Sequence, residues 1–175
     1  AEGGVQRAMD KIKALCEDPN GGCVFWSAGA KPPELLMSGE VVMATGWNGR
    51  FFNAIMDGAP LTQVWDGQGL DYQYMVVVKG GPNEADAMKA IKEMMSTEGL
   101  AGSAKHIAYA PFRKSSLAVI ESGEPWYKDG KTNMLPEMPT SEGNTKKYFL
   151  VDSVYWADNG TELGEMWTAM TAGLK

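Results

Sequence analysis

The sequence predicts an α/β fold built around a mostly parallel sheet. Three observations lead there. Segments with apolar residues at helical spacing alternate along the chain with short runs rich in β-branched and aromatic residues. One such run, "EVVMAT" at 40–45, is apolar without alternation, the mark of a strand buried on both faces. The chain has 175 residues, 44% hydrophobic and 22% charged, enough for one domain or two small lobes with a real core.

The elements follow in order. Residues 4–16 place Val5, Ala8, Met9, Ile12 and Leu15 on one helical face. "EDPNGG" at 17–22 is turn chemistry, and a short strand is expected at 23–26. Pro32 and Pro33 suit the first turn of a helix at 32–38, which Gly39 ends. The strand at 40–45 runs into Trp47, Asn48 and Gly49. Asn48 is a good N-cap for a helix over 49–57 with Phe51, Phe52, Ile55 and Met56 inward, and Gly58 and Pro60 stop it.

"LTQVW" at 61–65 reads as a strand and "GQG" at 67–69 as a turn. "LDYQYMVVVKGG" gives the longest strand, 70–78, alternating at first and continuously apolar later. Asn83 caps a helix over 84–95 with Glu84 and Asp86 in its first turn and Lys89 and Lys92 further on, the order the helix dipole favours. Helices at 97–105 and 113–121 come next. Residues 122–145 are rich in Gly, Pro, Ser, Thr and Asn and read as a long surface excursion. A last helix, 158–172, sets Leu163, Met166, Trp167 and Met170 on one side.

The net charge of -6 argues against nucleic acid and anionic membranes as partners. No apolar run approaches the roughly 20 residues of a membrane span. Cys16 and Cys23 are the two cysteines, and the turn between them can bring their sulfurs together. A disulfide there favours an oxidising compartment, with two independent reduced thiols as the alternative. Two cysteines and the single, distant His106 are too few ligands for a metal site. There is no G-x-S-x-G, P-loop or G-x-G-x-x-G, so no catalytic residue and no cofactor is assigned.

The remaining signal is aromatic. Trp47, Tyr72, Tyr74, Tyr109 and Trp156 fall near the ends of expected elements, and Tyr72 and Tyr74 share a strand face by their spacing. In open parallel sheets, ligands bind beyond the carboxyl ends of the strands, where Trp47 and Asn48 stand. Aromatic faces hold cations at about 0.5–2 kcal/mol each when desolvated. By spacing alone the same rings are equally compatible with ordinary core filling.

Four stretches carry a resemblance: "LLMSGEVVMATGWNGRFFNAIMDGAPLTQVW", "LDYQYMVVVKGGPNEADAMKAIKEMM", "HIAYAPFRKSS" and "DSVYWADNGTELGEMW". In this order and spacing the chain resembles the C-terminal half of the extracellular solute-binding proteins of ABC importers, nearest to the spermidine/putrescine-binding type. The resemblance implies a periplasmic, non-enzymatic receptor of the periplasmic-binding-protein type II fold. Such a receptor takes a small-molecule solute between two lobes and hands it to an ABC permease. On this reading 1–70 belong to the second lobe, 71–80 form the hinge-crossing strand, 81–150 belong to the first lobe, and 151–175 return toward the second.

The resemblance also assigns ligand contacts. Trp47 matches the aromatic of the W-N-G turn, with Asn48 beside it. Tyr72 matches the aromatic of the crossing strand, and Tyr74 stands where an acid would receive an amine. Tyr109 matches the "I-x-Y" turn, and Trp156 the turn before the last helix. Ser27 is a further polar contact. With tyrosine in place of the acid, a polyamine-like cation, a quaternary amine and another polar organic solute all fit, because a buried ammonium wants a carboxylate. A half-length chain leaves open sheet edges, so a dimer or domain-swapped assembly is expected. A ligand-sensing regulatory domain of the same fold is the alternative function, and an α/β enzyme a more distant one.

Overall fold

A computed structural model describes residues 3–122 and 126–174. The chain divides into two compact units, Ala1–Ser27 with Asp152–Lys175, and Ala28–Val151.

The first unit pairs two helices. Helix α1, Gly4–Cys16, starts after Gly3, whose φ of 79° suits glycine. Val5, Met9 and Ile12 are half-buried, whereas Leu15, expected on the same inward face, is exposed. The predicted disulfide joins Cys16 to Cys23, with Cα atoms 4.9 Å apart. Residues 23–26 form no strand. Phe25 instead meets Trp167 edge to face at 5.2 Å.

Trp167 belongs to the last helix, Ser153–Ala172, numbered α7 in chain order, which packs on α1. It starts five residues before the expected 158. The reason is Asp152, whose Oδ1 accepts from the N–H groups of Val154 and Tyr155 at 3.1 and 3.0 Å. An aspartate cap satisfies two backbone donors that would otherwise end the helix.

The second unit carries α2 (Lys31–Met37), α3 (Asn48–Met56), α4 (Glu84–Met94), α5 (Thr97–Ser103) and α6 (Lys114–Ile120), all within a few residues of expectation. Its sheet has two parallel strands, β1 (Gln68–Leu70) and β2 (Tyr148–Leu150), with Gln68 opposite Tyr148. Strand β1 occupies the stretch expected to turn. Gln68 is held there by its side-chain amide, which donates to the carbonyls of Pro139 and Asn144 at 2.9 and 2.7 Å.

The other expected strands are corrected. Residues 41–47, 61–65 and 71–78 join no ladder among the described residues. None of their side chains is buried: 61–65 alternate between half-buried and exposed, and Val42 and Val76 reach 93% and 80% exposure. Apolar spacing favours an extended backbone, but a strand exists only where a neighbouring backbone completes its hydrogen bonds.

The core of this unit gathers Phe52, Ala101, Ala104, Ala108, Ile120, Tyr127, Met134 and Met138. Phe52 meets Tyr127 edge to face at 5.2 Å. Three of these residues come from the expected surface excursion at 122–145, of which 123–125 lie outside the described residues. The rest of that stretch is mostly surface, but it supplies Tyr127, Met134 and Met138 to the core. Its turn residues serve the backbone while its apolar side chains point in: Asn144 Nδ2 donates to the carbonyls of Pro136 and Met138 at 2.8 and 2.9 Å. A short 3₁₀ turn, Leu135–Glu137, lies inside the same loop.

Candidate functional site

The start of α3 gathers the chemistry that the sequence singles out. Trp47, in extended conformation, is the N-cap, and Asn48 is the first helical residue rather than the cap. The Asn48 side chain is committed elsewhere, its Nδ2 donating to the Ala108 carbonyl at 2.5 Å. That bond ties α3 to the "IAY" segment 107–109.

Two glycines make the close approach possible. A Cβ on Gly49 would lie 2.5 Å from Ile107 Cγ1 and 2.6 Å from Tyr109 Cε1, so the tyrosine ring packs directly on the helix backbone. A Cβ on Gly29 would lie 2.2 Å from Trp47 Cζ3, so the indole lies over the backbone there. Asn48, Gly49 and Tyr109 are therefore held together, with Trp47 fixed by Gly29 on the adjoining turn.

Tyr109 is partly exposed, and burial raises its pKa above the ordinary phenol value. The positive charge of Arg50, one residue beyond Gly49, opposes that shift. Arg50 is exposed and was not singled out from the sequence. The signal was present in the quoted "WNGR", since an arginine in the first turn of a helix is disfavoured by the helix dipole. Gly29 and Ala108 were missed as well. Neither carries a functional group, and each acts by what it allows or accepts.

The other expected contacts stand apart from this cluster in the bonding pattern. Tyr72 and Tyr74 lie in the unladdered segment 71–78, both exposed, and neither hydroxyl has a hydrogen-bond partner among the described residues. Ser27 and Trp156 belong to the first unit. Ser27 is exposed at a bend, and Trp156 lies within α7 rather than on a turn before it, because Asp152 caps the helix early. Among the described residues no group of three or more His, Cys, Asp or Glu is placed to hold a metal ion. No helix among them is long and apolar enough to cross a membrane.

Residues 1–139 match the family described as bacterial extracellular solute-binding protein. The chain belongs to that family. The family is one of binding proteins rather than enzymes, and it places the chain in the periplasm. The chain is 34% identical over 169 residues to the gamma-aminobutyric acid-binding protein of Pseudomonas aeruginosa, covering 97% of this chain and 44% of that protein.

Among solved structures, the fold is similar to the PBP MotA from A. tumefaciens B6 in complex with glucopine. The TM-score is 0.77 at 24% identity, over 97% of this chain and 49% of that one. It is also similar to an ABC transporter substrate-binding protein from Bradyrhizobium japonicum USDA 110, with a TM-score of 0.75 at 24% identity over 95% and 49% of the two chains. A third similar structure is the PBP AgtB from A. tumefaciens R10 in complex with agropinic acid, at a TM-score of 0.71 and 24% identity over 95% and 48%. The expected α/β, periplasmic-binding-protein-like class is therefore the fold of this chain, which spans about half the length of the relatives it matches.

Proposed function

We propose that this chain forms part of the solute-binding component of an ABC importer, taking a small polar solute that carries both an amine and an acid group. The observation that supports it is the junction of Trp47, Asn48, Arg50 and Tyr109, where aromatic faces and one cation gather at a helix start. Ring faces attract an ammonium at about 0.5–2 kcal/mol each. A guanidinium takes a carboxylate through paired N–H donors.

A purely cationic, polyamine-like solute finds less support. Arg50 opposes it electrostatically, and Tyr74 replaces the carboxylate that a buried ammonium wants. The ligands for which the relatives are named or with which they are complexed, gamma-aminobutyric acid, glucopine and agropinic acid, point the same way. Tyr72 and Tyr74, of the same unit, are further contacts in this proposal; Ser27 and Trp156, of the first unit, are carried only by the family resemblance. The two-lobed division, with 71–80 crossing between lobes, and the ABC permease as partner belong to the same reading.

Titration calorimetry tests it. The probes are γ-aminobutyrate, other amino acids, opines, putrescine, spermidine, a betaine and a sugar. They are titrated into the chain alone and joined to the part of the P. aeruginosa relative that it does not match. Binding of an amino acid or opine, weakened about tenfold or more by Arg50→Met, is expected. Preference for putrescine or spermidine, unchanged by Arg50→Met, would sink the reading.

A further inference from the structure

The first unit has three methionines, Met9, Met166 and Met170, and all three line one cavity. The cavity lies between α1 and α7, has a volume of about 310 Å³, and is otherwise lined by Gln6, Asp10 and Lys13. Its apolar lining is therefore sulfur-bearing throughout. Val5, Ile12, Leu15 and Leu163 belong to the same two helices, yet none of them lines it. A seam that only excludes water is best filled by branched aliphatics of fixed shape. Methionine instead has a flexible chain and a polarisable sulfur that adapt to an occupant.

Helical spacing brings the sulfurs together. Met166 and Met170 stand one turn apart on a single face of α7. Met9 comes from α1, which packs on that helix. Each of the three is half-buried. Asp10 sets a negative charge on the cavity wall, where Gln6 Nε2 donates to its Oδ1 at 2.8 Å. Lys13, the one cation among the lining residues, faces Glu17 at 3.8 Å. The two thiols of the unit are joined in the Cys16–Cys23 disulfide, so thioethers are its remaining soft donors. Thioethers neither titrate nor pair into disulfides, which suits an oxidising compartment.

We propose that Met9, Met166 and Met170 form a site for a soft monovalent metal ion, Cu(I) or Ag(I), held by their three thioether sulfurs with Asp10 balancing its charge. Thioether donors select such ions, whereas zinc prefers thiolate and imidazole, and calcium and magnesium prefer oxygen. The site lies in the first unit, apart from the junction of Trp47 and Tyr109 in the second, and does not depend on which solute that junction takes.

Titration calorimetry with silver nitrate in chloride-free buffer tests it on the 175-residue chain, alone and joined to the part of the P. aeruginosa relative that the match leaves out. One ion per chain is expected to bind in both forms. The methyl carbon resonances of Met9, Met166 and Met170 should move, while those of the exposed Met88 and Met94 stay in place. Met166→Leu with Met170→Leu nearly conserves volume and should weaken binding about tenfold or more. Affinity should stay level between about pH 5 and 8, because thioethers do not titrate. Zinc sulfate should give no saturable heat. Absence of saturable silver binding, affinity untouched by the double leucine variant, equal affinity for zinc, or a site present in the chain alone and lost in the joined form overturns the proposal. Where the double variant melts early, the methyl resonances of the parent decide. Shifts confined to the three methionines support the site, and shifts spread over exposed methionines overturn it.

Discussion

The side-chain amide of Asn48 donates to the main-chain carbonyl of Ala108, 60 residues further along the chain. Ala108 is fully buried, so its carbonyl has little access to water. Replacing Asn48 by leucine removes the donor and strands that acceptor. Equilibrium urea unfolding is expected to show a loss of about 1–3 kcal/mol. An unchanged midpoint would mean that the bond adds nothing to stability.

The two contact glycines make a second, local prediction. In Gly49→Ala the new methyl would sit within 2.6 Å of both Ile107 and Tyr109, and in Gly29→Ala within 2.5 Å of two Trp47 ring carbons. Overpacking of this kind costs about 1–3 kcal/mol. Gly49→Ala should separate α3 from 107–109 and move the Tyr109 ring resonances. Gly29→Ala should change the fluorescence of Trp47, read in a background where the other tryptophans are replaced. Spectra identical to the parent in both variants would show that neither approach is tight in solution.

The raised pKa of Tyr109 has a definite sign in stability. The phenol is neutral when protonated, and burial favours that form in the folded state. The folded chain therefore holds this proton more firmly than the unfolded one. Its contribution is complete below the ordinary tyrosine value near pH 10 and declines as pH rises through and above it. Tyr109→Phe should flatten that decline relative to the parent. Arg50→Met should push the Tyr109 titration higher still, because the arginine charge opposes the shift. A lower Tyr109 pKa in Arg50→Met, followed by ultraviolet difference titration against Tyr109→Phe, would reverse the assignment.

The Cys16–Cys23 disulfide closes a loop with a sequence separation of 7. On the chain-entropy estimate so short a loop is worth about 2–3 kcal/mol. Reduction, or Cys16→Ser with Cys23→Ser, should destabilise the first unit, where the bridge anchors the segment that presents Phe25 to Trp167. The near-ultraviolet circular dichroism of that aromatic pair should weaken while exchange protection around Phe52 in the second unit is unchanged. Loss of protection in both units together would contradict this independence.

The helices were legible because helical hydrogen bonds are local. α1 matches its expected bounds, and α2 through α6 stand within a few residues of theirs. Legibility failed where a single capping side chain moved a boundary, as with Asp152 at the start of α7. It failed more widely for the strands. The apolar runs at 40–45 and 70–78 announce an extended chain but do not contain their pairing partner, while β1 forms at Gln68–Leu70, where composition reads as a turn. The excursion at 122–145 hides core residues among turn formers, since Met134 and Met138 are fully buried.

Of the candidate site, the sequence by itself determined the residue types: the aromatics Trp47, Tyr72, Tyr74, Tyr109 and Trp156, the amide of Asn48 and the hydroxyl of Ser27. It also determined the helical frame and the short turn that lets Cys16 meet Cys23, because these depend on neighbours a few residues apart. Only the tertiary structure decided that Asn48 reaches Ala108, that Gly49 and Gly29 admit the rings of Tyr109 and Trp47, and that Arg50 acts on Tyr109. Those relations join residues far apart in the chain, and no local spacing encodes which distant backbone will come within hydrogen-bonding range.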